Sequence, residues 1–232
     1  MSARRATPPS SPASPVPPPA GGAHDVRERI VAAARRHFFA FGFARFTMDE
    51  LAVELGMSKK TLYQHFRSKG ALVDELITRK SRTMIAGFEE ILKQPGLTFA
   101  DRTARFQQHA LVHLREIHIA FLRDLQRFAP RTYQRIEALR ARNVPGLWQR
   151  LLQAGIEEGA VRADVDAAFA AHAVLITMQS LLLPDHLERL GIQPHEVMAR
   201  FFQLLFFGLL TKAGCADYEK HRASFIRSQP AR

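Results

Sequence analysis

A short polar segment around residues 58–69 carries side chains that could bind a polyanion without covalent chemistry. It combines ammonium, hydroxyl, amide and imidazole groups, the types that contact phosphate oxygens and base edges in the major groove of DNA. The residues that carry these groups are Ser58, Lys59, Lys60, Thr61, Tyr63, Gln64, His65 and Lys69, and Thr47 lies a short distance upstream. The chemistry that they indicate is recognition of nucleic acid.

Two short helices are expected to position this segment. Thr47 and Ser58 are suitable N-caps for the first and the second helix, and Gly56 suits the tight turn between them. Ala52 is small enough to let the two helices cross closely. A helical hairpin whose polar residues simply face water is the alternative, but the mixture of basic, hydroxyl, amide and aromatic groups favours a helix-turn-helix that reads DNA. The apolar residues that would fill the wedge between the helices are Leu51, Leu55, Met57, Leu62 and Phe66.

Residues 25 to about 72 resemble the DNA-binding region of TetR/AcrR-family regulators. The resemblance rests on a helix that ends in FFAFGF, followed by FTMDELAVELGMSKKTLYQHFRSKGAL. Independently of it, the start of a fourth helix near Ser68 suits an anion, because unpaired backbone amides and a lysine converge there. The resemblance implies phosphate contacts by Thr47, Tyr63, His65 and Lys69, and positions at or near base edges for Lys59, Lys60, Thr61 and Gln64.

The whole chain shows helical periodicity and no useful alternation of the kind that strands show, so we expect an all-α protein. An N-terminal three-helix helix-turn-helix DNA-binding domain is followed by a C-terminal helical ligand-binding and dimerisation domain, as the resemblance also implies. Breaks are predicted at Pro95-Gly96, Pro130, Pro145-Gly146, Gly159, Pro184 and Gly191. The expected segments are a disordered Pro-rich tail (1–23), the DNA-binding domain (24–72), the second domain (73–218) and a C-terminal tail (219–232).

Helices near residues 99–128, 144–158 and 165–183 should enclose any ligand pocket. Large or soft apolar groups with a few polar handles are typical of such a lining, although any one residue of this kind is more often plain core. The candidates are Phe106, His109, His113, Trp148, Met178 and Gln179. His109 and His113 share a helix face and could hold a transition metal, but His118 falls off that face, so no metal site is expected.

The last two long helices, near residues 165–183 and 194–212, are expected to form a four-helix dimer interface, as the resemblance implies. The second of them carries more apolar surface than one narrow face needs, which indicates burial on two sides. A central helix of a monomeric core is the alternative. The residues assigned to the interface are Val174, Phe201, Phe202, Leu205, Phe206 and Leu209.

Composition limits the remaining classes of function. The 33 lysines and arginines exceed the 22 aspartates and glutamates, and the formal net charge of +11 fits a polyanionic partner. A lone cysteine, Cys215, fits a reducing compartment, and no stretch reaches the length of about 18 apolar residues that a membrane-spanning helix needs. The start of the chain does not resemble a secretory signal, and no catalytic or cofactor-binding motif is present. We therefore expect a cytoplasmic protein that is not an enzyme and has no cofactor.

The sequence as a whole favours a ligand-responsive repressor. It would bind a near-palindromic double-stranded operator as a homodimer, with two recognition helices one DNA turn apart, and a small apolar or amphipathic effector would release it. Two alternatives remain open at this point. One is a DNA-bound adaptor whose C-terminal domain binds a protein, and the other is a transcriptional activator.

Overall fold

Eleven α-helices make up residues 23–227, the part of the chain that this computed structural model describes. The one β-type pairing in this range is an isolated antiparallel bridge between Val161 and Leu210. The expected all-α fold is confirmed, whereas the predicted Pro-rich tail lies, apart from Ala23, outside the described residues. The helices are α1 (Ala23–Phe41), α2 (Met48–Glu54), α3 (Lys59–His65), α4 (Lys69–Lys93), α5 (Phe99–Arg115), α6 (Ile119–Phe128), α7 (Pro130–Glu157), α8 (Ala167–Leu181), α9 (Pro184–Leu190), α10 (Pro194–Leu209) and α11 (Lys212–Arg227).

The first three helices share a small apolar core that also continues into α4. Ile30, Ala34 and Phe38 follow one another at intervals of four residues, so they lie on one face of α1, and all three are buried. They belong to the same buried cluster as Leu51 of α2 and Leu62 of α3. This core fixes the helix-turn-helix on α1, since neither α2 nor α3 is long enough to be stable alone.

α7 is longer than the sequence predicts. A break was expected at Pro145-Gly146, yet the helix runs without interruption from Pro130 to Glu157. An internal proline removes a backbone hydrogen bond and costs about 3 kcal/mol. Packing of α7 against α4 and α8 offsets this cost. Within two turns of the proline, α7 buries the side chains of Leu147, Trp148, Leu151 and Leu152. The predicted break was therefore wrong.

The last helix extends into the segment predicted as a C-terminal tail. α11 packs against α5, and its Tyr218 is buried. The Tyr218 hydroxyl accepts a hydrogen bond of 2.8 Å from Gln107 Nε2, and its ring lies 5.2 Å from the ring of Phe206. These contacts stabilise α11, and the chain is helical as far as Arg227.

Within residues 23–227, no single helix is both long and apolar enough to cross a bilayer. Only α8 and α9 taken together meet a criterion of length and composition, and they are bent by 74° at their junction.

Two glycines of α7 test how closely this helix packs. A Cβ at Gly155 would lie 2.6 Å from the Phe99 ring and 2.6 Å from Val161 Cγ2, so Gly155→Ala should lower the free energy of unfolding by about 1–3 kcal/mol. Gly146 has no atom within 4 Å of such a Cβ. Gly146→Ala should therefore raise the free energy of unfolding by about 0.5–1 kcal/mol through helix propensity.

Urea unfolding followed by circular dichroism, at one fixed protein concentration, measures both variants. An equal effect of the two substitutions would show that α7 does not approach α5 and the 159–162 segment as closely as described.

Candidate nucleic-acid interface and the cavities behind it

α3 presents one anchored face and one free face. Ser58 Oγ accepts a hydrogen bond from the Thr61 amide at 3.0 Å and lies 2.8 Å from the Thr61 hydroxyl, so both side chains hold the start of the helix. Leu62 and Phe66 are 0% and 3% exposed and anchor the inner side. Three residues at intervals of three and four share the outer side and are exposed, namely Lys60, Tyr63 and Gln64.

Lys59, the first residue of α3, is paired in the DNA-free structure. Its Nζ lies 2.5 Å from Asp49 Oδ2 of α2, and both side chains are more than half exposed. An exposed pair of this kind contributes about 0–1 kcal/mol. A phosphate or a base edge could therefore replace Asp49 as the partner of Lys59 at little cost.

Thr47 forms a capping box with Glu50 at the start of α2. Its Oγ1 accepts from the Glu50 amide at 3.2 Å, and its own amide and hydroxyl donate to Glu50 Oε2 at 2.7 and 2.8 Å. These hydrogen bonds lower the pKa of the Glu50 carboxyl. Thr47 is exposed, but its hydroxyl is occupied by the cap, so a phosphate contact would have to share it.

Lys69 holds the α1–α2 loop instead of pointing freely at solvent. Its Nζ donates to the carbonyl oxygens of Phe43 at 2.7 Å, Ala44 at 3.0 Å and Phe46 at 3.1 Å. An ammonium group has three N–H donors, so all of them are used. The resemblance implied a phosphate contact by Lys69, and a contact through Nζ would require one of these bonds to break.

Sequence reasoning missed two arginines of α1 that fix the ends of α2 and α3. Arg27 Nη1 donates to the His65 carbonyl at 3.1 Å, and its guanidinium lies 4.3 Å from the centre of the Phe66 ring. Arg29 Nη2 donates to the Leu55 carbonyl at 3.3 Å. Cations are favourable at helix C-termini because unpaired carbonyls and the helix dipole meet there. The His65 side chain remains half-exposed at this end of α3.

Asp124 of α6 also holds the α1–α2 loop, through its amides instead of its carbonyls, and sequence reasoning missed it too. This buried carboxylate accepts hydrogen bonds of 2.7 Å from the amides of both Phe43 and Ala44 on one oxygen, Oδ2. Gly42 makes the approach possible, since its φ is +82° and a Cβ there would lie 2.5 Å from Asp124 Oδ2. The only available sequence signal was a carboxylate within an amphipathic helix, which by itself indicates a solvated face.

Four of the six predicted ligand contacts meet at one cavity in the C-terminal helices. This cavity, the distal cavity, has a free volume of about 50 Å³ and an almost entirely apolar lining. It lies between α4, α5, α7, α8 and α10, so α4 and α10 contribute walls that the sequence did not indicate, among them Met84 and Met198. The predicted residues that line it are Phe106, Trp148, Met178 and Gln179.

A second cavity, the proximal cavity, adjoins the first on the side of α6. It has a free volume of about 70 Å³ and is lined by His113 together with residues of α4, α6 and α7. His109 lines neither cavity. Its ring packs 4.8 Å from the Phe88 ring, and its Nε2 lies 2.9 Å from the Met84 carbonyl oxygen. The structure therefore brings five of the six predicted contacts to the cavities and places His109 in the wall behind them.

The histidines of α5 and α6 do not converge on one point. The rings of His109 and His113 pack edge to face at 4.4 Å, whereas His118 Nδ1 accepts from the Ala120 amide and caps α6. Across the described part of the chain, no group of three or more histidine, cysteine, aspartate or glutamate side chains is arranged to hold a metal ion.

The residues assigned to a dimer interface lie mostly in the core of the protomer. Leu205 and Leu209 are half-buried, and Trp148 stacks on Phe202 at 5.6 Å. α10 is apolar nearly all round, so its sequence did not reveal which side faces inward. Val174, Phe201, Phe202 and Phe206 are buried in the protomer, and the large exposed apolar side chains of the same two helices are instead Phe169, Ile176, Leu204 and Phe207.

Comparison with known sequences identifies the N-terminal part of the chain. Residues 30–76 match the family model of bacterial regulatory proteins of the tetR family. The HTH-type transcriptional repressor KstR2 of Mycolicibacterium smegmatis is 26% identical over 148 residues, which cover 60% of this chain and 69% of that protein. The HTH-type transcriptional regulator UidR of Escherichia coli K12 is 35% identical over 79 residues, which cover 34% of this chain and 39% of that protein.

Solved structures share the fold over most of the chain. The ketosteroid transcriptional regulator KstR2 of Mycobacterium tuberculosis aligns with a TM-score of 0.55 at 21% identity, covering 81% of this chain and 96% of that one. A complex of SmeT with triclosan aligns with a TM-score of 0.58 at 19% identity, covering 81% and 93%. At these identities the likeness concerns the fold.

The matched stretch 30–76 contains the helix-turn-helix built by α2 and α3, with the α1–α2 loop before it and the start of α4 after it. The fold behind it is the helical C-terminal domain that the structural relatives share. Residues 30–76 therefore match the DNA-binding region of bacterial regulatory proteins of the tetR family, and the helices behind them share the fold of solved transcriptional regulators.

Proposed function

We propose that this chain is a homodimeric repressor that binds a near-palindromic operator in the cytoplasm and is released from it by a small apolar or amphipathic effector. The observation that carries the proposal is the outer face of α3. There Lys60, Tyr63 and Gln64 stand exposed on a helix that is capped at its start and anchored by two buried residues. Such a face can enter the major groove without rearrangement.

Phosphate contacts on either side of α3 would fix its register on the duplex. At the start of α4, Ser68 Oγ accepts a hydrogen bond from the Ala71 amide at 3.1 Å. The amides of Lys69 and Gly70 lie in the first turn, where the helix itself offers no carbonyl acceptor. We infer that these backbone amides bind the phosphate there. The Lys69 ammonium then contributes by holding the loop and by its charge.

A second copy of the chain would cover the exposed apolar side chains of α8 and α10. Backbone hydrogen bonds tie the end of α10 to the segment before α8, from the Arg162 amide to the Leu209 carbonyl at 3.0 Å and from the Thr211 amide to the Ala160 carbonyl at 2.9 Å. Pairing two protomers through these helices would set two copies of α3 at a fixed separation. Reading a palindrome requires a separation of about 34 Å.

The two cavities support a small-molecule effector. Their lining is predominantly apolar, and two structural relatives are described as a ketosteroid regulator and as a complex with triclosan. An effector would favour a conformation in which the two copies of α3 no longer match the operator spacing.

The operator contacts can be separated by two substitutions. Gln64→Ala should cost about 1–3 kcal/mol of binding free energy on an operator selected from random DNA and leave binding to non-operator DNA unchanged, because a base contact is lost. Tyr63→Ala should weaken binding to both, because a phosphate contact carries no sequence information. Gel shifts at physiological salt measure both effects.

Lys93→Ala serves as the control, since Lys93 ends α4 far along the chain from the helix-turn-helix, is exposed and forms an ion pair with Glu90. If Gln64→Ala weakens both kinds of DNA equally, Gln64 does not read bases.

The hydrogen bonds by which Asp124 holds the α1–α2 loop should matter for DNA binding. Asp124→Ala leaves the amides of Phe43 and Ala44 without their acceptor and should lower the free energy of unfolding by about 1–3 kcal/mol. Operator affinity should fall as well, since the loop leads directly into α2, and the two amides should exchange their hydrogens faster. Arg123→Ala, which removes an exposed ion pair with Glu188, should change stability by less than about 0.5 kcal/mol. Wild-type operator affinity in Asp124→Ala would contradict a positioning role.

The dimer surface can be tested at one exposed side chain. Ile176 is 65% exposed, so Ile176→Asp should leave the helical content unchanged but convert the dimer into a monomer of 26.2 kDa in sedimentation. Operator binding should fall with it, because one recognition helix cannot hold the site alone. Val112, 59% exposed on α5, provides the matched control in Val112→Asp, which should remain a dimer. A dimeric Ile176→Asp protein would place the interface elsewhere.

A further inference from the structure

The proximal cavity has a buried cation at one end. Lys80 of α4 lines this cavity, and its side chain is only 9% exposed. Its Nζ is packed against the Glu116 carboxylate, and no acceptor among the described residues meets its N–H groups in hydrogen-bond geometry. His113, which lines the same cavity, has a buried Nδ1 without a hydrogen-bond partner.

The charges around Lys80 do not balance. Glu116 is the carboxylate nearest to Lys80, and it already accepts hydrogen bonds of 2.7 and 2.9 Å from the guanidinium of Arg35. Burial lowers the pKa of Lys80 to about 7, with a further contribution from Arg35. Burial likewise lowers the pKa of His113 to about 4, so His113 is neutral and adds no further positive charge. When Lys80 is protonated, two cations share one carboxylate, and an incoming anion would stabilise that protonated form.

The other cation of the cavity lining has a carboxylate of its own. Arg140, which borders both cavities, has its Nη1 2.6 Å from Glu137 Oε1 one turn earlier on α7. The excess of positive charge thus lies at Lys80, at the end next to α1 and α6.

Six residues line both the proximal and the distal cavity. The residues common to both linings are Met84, Phe88, Leu114, Arg140, Val144 and Leu147, five of which are apolar. Met84 is unbranched and changes rotamer at low cost. Because the two free volumes are about 70 and 50 Å³, an elongated apolar body would fit only when such a side chain moves aside and joins them.

We propose that the effector is an amphipathic anion whose carboxylate or comparable head group binds Lys80 and whose apolar body runs past Met84 into the distal cavity. The inference deepens the proposed function, and it rests on the ligand response proposed there. The arrangement also connects the ligand to the DNA-binding domain. Glu116 is shared between Lys80 and Arg35 of α1, and Lys80 lies 5.8 Å from the centre of the Phe39 ring on the same helix. A head group that binds Lys80 in place of Glu116 changes the contacts that Glu116 makes with α1.

Three twelve-carbon probes of different charge test the proposal on the full chain. They are laurate and dodecyltrimethylammonium, each used below its micellar concentration, and 1-dodecanol, used below its solubility limit. Trp148 is the only tryptophan of the chain and lines the distal cavity, so its fluorescence reports arrival of the apolar body. Laurate should bind about tenfold or more tightly than dodecanol, as expected of a charge-assisted contact, and the ammonium probe should bind least.

Lys80→Met removes the charge at nearly constant length and should bring the affinities for laurate and dodecanol to within about twofold. Lys93→Met, the same substitution on the exposed end of α4, should keep the preference of the unaltered protein. A thermal melt followed by circular dichroism shows whether each variant folds, and the probe series on the unaltered protein decides the matter even if Lys80→Met does not.

Three outcomes would overturn the inference. Equal or tighter binding of dodecanol to the unaltered protein does so, and so does a preference for laurate that survives in Lys80→Met. If none of the three probes changes the Trp148 signal, the inference falls together with the ligand response on which it rests. The operator part of the proposed function is judged separately by the selection and gel shifts.

Discussion

The α1–α2 loop, residues 42–46, is held by one carboxylate and one ammonium group. The position of α3, the recognition helix, depends on these contacts. Asp124 of α6 accepts from two loop amides, and Lys69 of α4 donates to three loop carbonyls. Backbone polar groups that leave water need partners, and charged groups in the same position need them more. The loop and the two side chains satisfy each other, so α4, α6 and the loop keep one relative arrangement. Since α2 begins directly after the loop, the orientation of α2 and α3 follows from α6 as much as from α1.

α1 is attached to the C-terminal helices by a second set of contacts, through which the proposed effector would influence DNA binding. The His118 amide donates to the Phe39 carbonyl at 2.8 Å, and the rings of Phe39 and Phe121 pack edge to face at 4.9 Å. Arg35 and Glu116 add an ion pair to the same junction. Phe121 lies in the wall of the proximal cavity, so a change in that wall reaches α1 through directly packed groups. Coupling of this kind needs only two arrangements of a packed junction, which an effector then favours unequally.

α8 and α10 each divide their apolar residues between two faces. The inner face of α10 contributes Phe202 and Phe206, which pack with Trp148 beside the distal cavity. The outer face leaves Leu204 and Phe207 exposed, and α8 does the same with Phe169 and Ile176. A helix that is apolar on all sides is stable in water only when both of its faces are buried against other apolar surface. One pair of helices thus lines the distal cavity and, in the proposed dimer, would also contact a second protomer.

The sequence by itself determined the local features of this protein. Thr47 and Ser58 are good capping residues, and together with the FFAFGF and helix-turn-helix strings they predicted α2, α3 and the resemblance to TetR/AcrR-family regulators. Helical periodicity along the chain predicted the all-α fold. Tertiary structure decided the rest. Pro145 stays inside α7 because packing against α4 and α8 outweighs a lost hydrogen bond, and the inner side of α10 became visible only from its neighbours. Lys69, expected to contact a phosphate, also holds a loop, and Asp124 contacts that loop from 81 residues away. Local caps and turns are determined by adjacent residues. Contacts between residues that are distant in the chain form only through the packing of the whole molecule.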